Sequence, residues 1–404
     1  MRPDDRYDVV VVGGGPAGAT AAADLAERGH RVLLLDKAGR IKPCGGAIPP
    51  RLIRDFAIPD HLIVAHISGA RIVAPSDRVV DMAIDNNYVG MVDREVFDEW
   101  LRERAERFGA TRQSGTFVDI TRDADGTAIV TYTTRAEGGA SETHHVAARA
   151  VIGADGANSR VARQTLGKAA AVPFVFAYHE IVRSPETPLE RFDPKRCDIY
   201  YQAPVSPDFY GWVFPHGATT SIGTGSAQKG FALREAVAEL RRATGLSDAE
   251  TIRCEGAPLP LKPLKRWDNG RDVVVVGDAA GVVAPASGEG IYYAMVTGRY
   301  GGEAVERLLA TGNARELARV RRRFMSEHGT VFFILRMMQY FWYANDRRRE
   351  RFVSICRDPD VQRLTWESYL NKKLAKRDFS AHFRIFVKDV MHLFGAVSAW
   401  GKRI

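Results

Sequence analysis

The sequence predicts an α/β protein, α+β overall, in which a Rossmann-type dinucleotide-binding domain carries an inserted antiparallel β-sheet domain and a C-terminal helical region. Three observations carry this expectation. The first is a βαβ unit packed into about 30 residues. Tyr7 to Val12 is a β-branched run ending in glycines, Ala17 to Arg28 is alanine-rich with spaced leucine, and Arg31 to Leu35 is apolar and ends at Asp36. The second is alternation between Val175 and Pro258, seen in Ile199 to Gln202 and Tyr210 to Phe214, the pattern of strands with one buried face. The third is the chain after about Gly281, which reads mostly as helix to its end.

The remaining elements follow from the same signals. Gly29 closes the first helix. Ile41 to Pro50 is a Gly/Pro loop, and Asp93 to Phe108 is a helix with Val96, Phe97, Trp100, Leu101 and Ala105 on one face. Thr116 to Thr121 and Ala128 to Thr133 alternate around Asp-Gly and Gly-Gly turns and predict a hairpin. Ala150 to Ala154 and Val273 to Val276 are short buried strands. These give a nucleotide-binding domain over 1–170 and 255–310, with 41–90 as a loop and small-sheet excursion. They also give a sheet domain over 171–254 and a basic, aromatic-rich helical region over 311–404.

Composition excludes several classes. No stretch reaches about 18 uncharged apolar residues, so no spanning helix is expected. A first strand opening at Tyr7 leaves no room for a leader, and Cys44, Cys197, Cys254 and Cys356 lack metal-ligand spacing. Reduced thiols, no metal and a bacterial cytoplasmic location are the expectations. The net charge of +8 is uneven: from Thr311 on there are 20 Lys/Arg against 9 Asp/Glu, and the rest is net negative. Phe332, Phe333, Tyr340, Phe341 and Trp342 interleave with those cations, which favours a peripheral membrane surface or an apolar ligand over nucleic acid. A solvated helical tail with a packed inner face is the alternative.

Gly13-Gly14-Gly15-Pro16-Ala17-Gly18 sits between a strand and a helix, where the glycine fingerprint has its chemistry. Gly13 permits the tight turn, Gly15 admits a pyrophosphate and Gly18 lets helix and strand pack. The helix N-terminus offers its unpaired N–H groups and positive dipole end to the phosphates. Asp36 follows Gly18 by 18 residues, where a carboxylate accepts from ribose hydroxyls and repels a 2′-phosphate.

Three later segments point to the kind of dinucleotide. Gly153-Ala154-Asp155-Gly156-Ala157-Asn158-Ser159-Arg160, Val273 to Ala280 with Gly277-Asp278, and Ser287-Gly288-Glu289-Gly290-Ile291 resemble the Asp-Gly, Gly-Asp and helix-start motifs of glutathione-reductase-type flavoproteins in their hydroxylase-like branch. Lys42-Pro43-Cys44-Gly45-Gly46-Ala47-Ile48-Pro49 and Tyr210-Gly211-Trp212-Val213-Phe214-Pro215 narrow the resemblance to geranylgeranyl reductases. Cys356-Arg357-Asp358-Pro359-Asp360-Val361-Gln362 with Leu364 to Leu370 narrows it further to the (bacterio)chlorophyll branch, over nearly the whole chain. The resemblance implies bound FAD, with Asp278 on its ribityl-phosphate part, Gly290 and Ile291 against the flavin ring, and Arg94 also reaching it. It gives Gly13, Gly15, Pro16, Ala17, Gly18, Asp36, Lys37, Gly45, Gly46, Val118 and Asp155 to the same cofactor. A helix cap is the other reading of Asp278.

The implied reaction reduces a geranylgeranyl chain to phytyl, on the diphosphate or esterified to (bacterio)chlorophyll, with NADPH as transient reductant and the protein peripheral on the cytoplasmic face of a photosynthetic membrane. An isolated alkene has no carbonyl to draw in hydride, so a proton donor must act at one carbon as hydride reaches the other. Cys44 in its glycine loop is the candidate donor or else a small packing residue, and His179 and His216 are alternatives. Tyr210, Trp212 and Phe214, spaced by two, face one side of a strand, as a wall for the developing cation or as an aromatic core stripe. A flavin monooxygenase of the same fold, and a prenyl-binding escort protein without redox chemistry, are the rival readings. The oligomeric state is not legible.

Overall fold

The computed structural model describes residues 6–37, 41–42, 44–135, 139–187 and 189–372. Pro43 and the basic tail beyond Lys372 lie outside the described residues. The chain divides into two units, Met1–Ile41 with Glu95–Phe174 and Pro258–Thr330, and Lys42–Arg94 with Val175–Ala257 and Val331–Ile404. The segment 41–90, placed by the sequence as an excursion of the nucleotide domain, therefore falls almost wholly within Lys42–Arg94, which groups with Val175–Ala257.

The first unit is built on a seven-stranded sheet. Its order is Thr111–Ser114, Val32–Asp36, Arg6–Val12, Ser141–Gly153, Ala128–Arg135 and Thr116–Arg122, with Val273–Val275 also pairing with Ser141–Gly153. The pairs around Arg6–Val12 are parallel and those around Ala128–Arg135 antiparallel. Val9, Val10 and Val11 have no exposed surface, as a strand covered on both faces requires. Helix Pro16–Glu27 begins with Gly15 at the N-cap and proline in its first turn, which supplies a preset φ at a position with no N–H to satisfy. It packs on helix Ile291–Thr311, where Gly298 approaches the Ala17 backbone.

The βαβ unit, the hairpin and the helix Arg94–Arg107 match the sequence expectation to within two residues at most ends. One element was much underestimated. Ala150 to Ala154 is the buried end of a strand running Ser141–Gly153. Its first half is mostly exposed and polar, so no apolar run announces it.

The second unit holds a seven-stranded sheet ordered Thr251–Pro260, Phe174–Arg183, Thr219–Ser226, Gly211–His216, Arg196–Tyr200, Gly69–Val73 and Val79–Ala83. Arg196–Tyr200 runs parallel to Gly69–Val73, whereas Phe174–Arg183 with Thr219–Ser226, Thr219–Ser226 with Gly211–His216, Gly211–His216 with Arg196–Tyr200 and Gly69–Val73 with Val79–Ala83 are antiparallel. One face buries Val182, Tyr200, Val213 and Ile222 against Val237 and Leu240 of helix Leu233–Thr244. By the two-residue period, the other face carries Trp212, Phe214 and His216, then Thr219, Ser221 and Gly223, then His179 and Ile181. A three-stranded sheet of Ala47–Ile48, Val89–Met91 and Ala65–Ile67 belongs to the same unit.

Helices Ala318–Trp342, Asp346–Ile355 and Pro359–Asn371 follow. Among the described residues, no helix is long and apolar enough to cross a membrane. Four arginines, Arg347, Arg348, Arg349 and Arg351, follow Ala344 and differ in burial. Arg347 is exposed, but Arg349 is 1% exposed. Its guanidinium donates to the carbonyls of Pro207 and Tyr343 and pairs with Asp346 at 2.8 Å, so it is a structural pin and no part of a basic surface.

Candidate functional site

In the first unit the glycine turn is built as its residues require. Gly13 has φ +108°, and a Cβ there would overlap the Ala154 carbonyl. Gly18 meets the Gly13 carbonyl in the same close way. In front of Gly15, by contrast, an added Cβ finds nothing within 4 Å. The helix N-terminus carries no side-chain cap hydrogen bond, so its first N–H groups face that space. This is an anion cradle, and the phosphates of a dinucleotide fit it.

Asp36 ends the second strand and accepts the Gly14 N–H at 2.9 Å on Oδ1. Arg102 stands 3.5 Å from Asp36 Oδ2 and donates to the Gly14 carbonyl at 3.3 Å. Glu99 in turn holds Arg102 at 2.7 Å and Arg112 at 2.5 Å, and Arg112 keeps the Glu99 carboxyl below its usual range. A carboxylate can accept more than two hydrogen bonds, so Asp36 still suits ribose hydroxyls. Sequence reasoning missed Arg102. Its pairing with Glu99 is a local helix signal, but its approach to Asp36 is set by tertiary packing.

Asp278 lies buried in the turn Gly277–Ala280 at the end of Val273–Val275. A Cβ on Gly290 would lie 3.7 Å from Asp278 Oδ1, so these two predicted residues are neighbours. Gly277 N–H donates to Thr297 Oγ1 at 3.0 Å, which ties the turn to the helix that starts at Ile291. Ala286, in the intervening loop, has φ +62°, an unusual value for a side-chain-bearing residue. Asp155 is directed to its own turn: it accepts from Ser159 Oγ at 2.5 Å and from the N–H groups of Arg160 and Val161 at 2.6 and 3.2 Å. Val118 and Lys37 are exposed.

The second unit gathers the other predicted residues. A cleft is lined by Lys42, Cys44, Asp93, Arg94, His179 and His216, with Val92, Ile181, Thr219 and Arg253 completing it. Cys44 is half-buried, and its Sγ accepts the Gly46 N–H at 3.4 Å. Gly45 faces the Phe214 ring, and His216 Nε2 stands 3.1 Å from the Gly45 carbonyl, to which it donates. Tyr210, Trp212 and Phe214 form a row with ring centroids 6.1 and 6.3 Å apart, and the row ends at the Cys44 loop. Tyr210 and Trp212 are buried, and Tyr210 also packs on Phe209 and Tyr201.

His216 is a poor proton donor at neutral pH, since burial pulls its pKa down to about 4. The same shift carries a stability prediction. A depressed pKa favours the neutral form in the folded state, so the contribution is fully present above the unfolded value of about 6.5. It is lost as pH falls through about 4. Wild-type protein should lose up to about 3 kcal/mol over that window from this group. His216→Asn, whose amide still donates to Gly45, should lose less, and denaturant titrations at pH 7 and 4 measure the difference.

Among solved structures, a geranylgeranyl bacteriochlorophyll reductase-like protein from Thermoplasma acidophilum superposes with a TM-score of 0.79 at 22% identity, over 93% of this chain and 99% of that one. Fold and cradle together define an α/β protein of the dinucleotide-binding class with an appended mixed-sheet unit. The family described as lycopene cyclase protein matches residues 8–392. Geranylgeranyl diphosphate reductase of Rhodobacter capsulatus is 56% identical over 97% of this chain and 98% of its own length, and its namesake from Synechocystis is 35% identical over 95% and 96%. The chain belongs to the geranylgeranyl reductase family and matches the lycopene cyclase protein family over nearly its whole length.

Proposed function

We propose that this chain is an FAD-dependent, NADPH-driven oxidoreductase that saturates isolated double bonds of a geranylgeranyl chain, on its diphosphate or on a (bacterio)chlorophyll ester, in pigment synthesis. The observation that carries the reading is the 56% identity to a named geranylgeranyl diphosphate reductase over nearly the full length of both chains. The open cradle before Gly15 and the Asp36 carboxylate support a bound dinucleotide. When bound, reduced FAD supplies the hydride.

The chain's own residues hold, orient and protonate. The N–H groups at the start of Pro16–Glu27 take the phosphates, Asp36 takes the ribose, and Asp278 and Gly290 take the flavin end. Asp155 shapes its turn, and the resemblance gives Lys37, Gly45, Gly46, Arg94 and Val118 to the cofactor as well. Cys44 Sγ delivers the proton to the =CH– carbon of the alkene, which becomes CH2, and the Tyr210–Trp212–Phe214 row stabilises the positive charge on its tertiary neighbour, which takes the hydride and becomes CH, by about 0.5 to 2 kcal/mol per ring face. The exposed Phe333, Ile334, Tyr340 and Phe341 beside Arg336 and Arg347 suit a peripheral contact with an anionic membrane, where the isoprenoid tail partitions.

The test separates the half-reactions. Cys44→Ala should leave flavin reduction by NADPH intact and slow anaerobic reoxidation by the alkene by about 100-fold, the lower end of what general-acid catalysis contributes. Reoxidation at the wild-type rate removes Cys44 from the chemistry. Flavin that no isoprenoid alkene reoxidises removes the reading itself.

A further inference from the structure

Trp212, Gly223 and His179 are register partners on three adjacent strands. A Cβ on Gly223 would lie 2.6 Å from both His179 Cβ and Trp212 Cε2, so the absent side chain is what lets indole and imidazole share one space, with ring centroids 6.4 Å apart. Trp212 Nε1–H donates to Ser221 Oγ at 3.1 Å. Ser221 Oγ is 3.0 Å from His179 Nδ1, and His179 Nε2 is 2.6 Å from Glu255 Oε2. Arg253 stands 3.0 Å from Glu255 and 3.2 Å from Asp93, at the cleft that Cys44 lines.

Donor and acceptor chemistry orders the hydrogens. An indole N–H can only donate and a carboxylate can only accept. With a neutral imidazole, His179 gives Nε2–H to Glu255, its bare Nδ1 takes the Ser221 O–H, and Ser221 oxygen takes the indole N–H. Every bond donates towards Glu255, and bonds aligned in this way polarise one another, most of all where water is excluded. Ser221 has no exposed surface, His179 is 2% exposed and Trp212 6%.

We propose that Ser221, His179 and Glu255 are positioning residues that fix the Trp212 indole and draw on its N–H, making the ring face more electron-rich where the alkene's positive charge develops. A stronger negative face holds a cation better. The catalytic consequence rests on the proposed reaction, whereas the chain of hydrogen bonds does not.

The experiment uses flavin-loaded protein. The Trp212 indole N–H resonance, assigned by its loss in Trp212→Phe, is followed in Ser221→Ala and Glu255→Gln. Glu255→Gln keeps an acceptor and removes the charge at a partly exposed position, so it serves even where the buried alanine variant does not fold. The indole proton should move upfield in both variants. Ser221→Ala should reoxidise with the alkene about tenfold more slowly, the size of one lost orienting hydrogen bond, with NADPH reduction unchanged. An unmoved indole resonance overturns the chain, and a moved resonance with wild-type reoxidation in Ser221→Ala overturns the positioning role. Wild-type protein that no alkene reoxidises overturns the functional reading alone, since the resonance still tests the chain.

Discussion

Gly13→Ala is expected to abolish flavin retention and to destabilise the first unit, whereas Gly15→Ala two residues on should do only the former. At Gly13 a methyl meets the Ala154 carbonyl and must be carried at φ +108°, where L-residues are strained. Strain and overpacking each cost about 1–3 kcal/mol, so a loss of roughly 3 kcal/mol or more is expected. Gly15 has an ordinary φ of −73° and open space before it, and glycine-to-alanine at an N-cap costs only about a kcal/mol. A methyl there occupies the space given to the phosphates. Denaturant unfolding of the flavin-free proteins and flavin content after gel filtration make the comparison. Equal destabilisation by both changes means that the space before Gly15 is structural.

Arg349→Met should be the most damaging single change in the arginine cluster, at about 3–5 kcal/mol, the usual cost of breaking a buried, hydrogen-bonded charge. It strands the carbonyls of Pro207 and Tyr343 and the Asp346 carboxylate. Arg347→Gln and Arg348→Gln together should leave stability within about 0.5 kcal/mol, since neither side chain is buried. If the membrane contact holds, the same pair should weaken co-sedimentation with anionic vesicles and flatten its salt dependence. Unchanged sedimentation would place the exposed face of Ala318–Trp342 against something other than lipid.

The contrast between Arg349 and its neighbours also shows where sequence reading stops. Four arginines within five positions look alike in one dimension, and only packing singles out the one that is buried. The βαβ unit was legible because its signals are local: apolar runs, a glycine turn and an acid at the right distance. Arg102 was not, because its contact with Asp36 crosses 66 positions, with no pattern to mark it. The parallel pairing of Gly69–Val73 with Arg196–Tyr200 was hidden in the same way. In the aromatic row, spacing by two anticipated the shared strand face of Trp212 and Phe214, whereas Tyr210 precedes the strand and joins the row through its ring contact with Trp212. The Ser221–His179–Glu255 chain behind Trp212 assembles across three strands and had no linear signal. Histidine reasoning weighed His179 and His216 as donors. In the structure, His216 is neutral and holds the Gly45 carbonyl, and His179 joins a hydroxyl to a carboxylate.

The central claim is net reduction of an isoprenoid chain, and the mass of the product tests it most directly. Flavin-loaded protein, reduced under anaerobic conditions, is mixed with geranylgeranyl diphosphate or with the pigment ester, and the isoprenoid is resolved by mass spectrometry. The expected product has gained one pair of hydrogens for each bond saturated, with flavin reoxidised in equal amount. A product isomeric with its substrate, as a cyclase makes, or one that has gained oxygen once air is admitted, would contradict it.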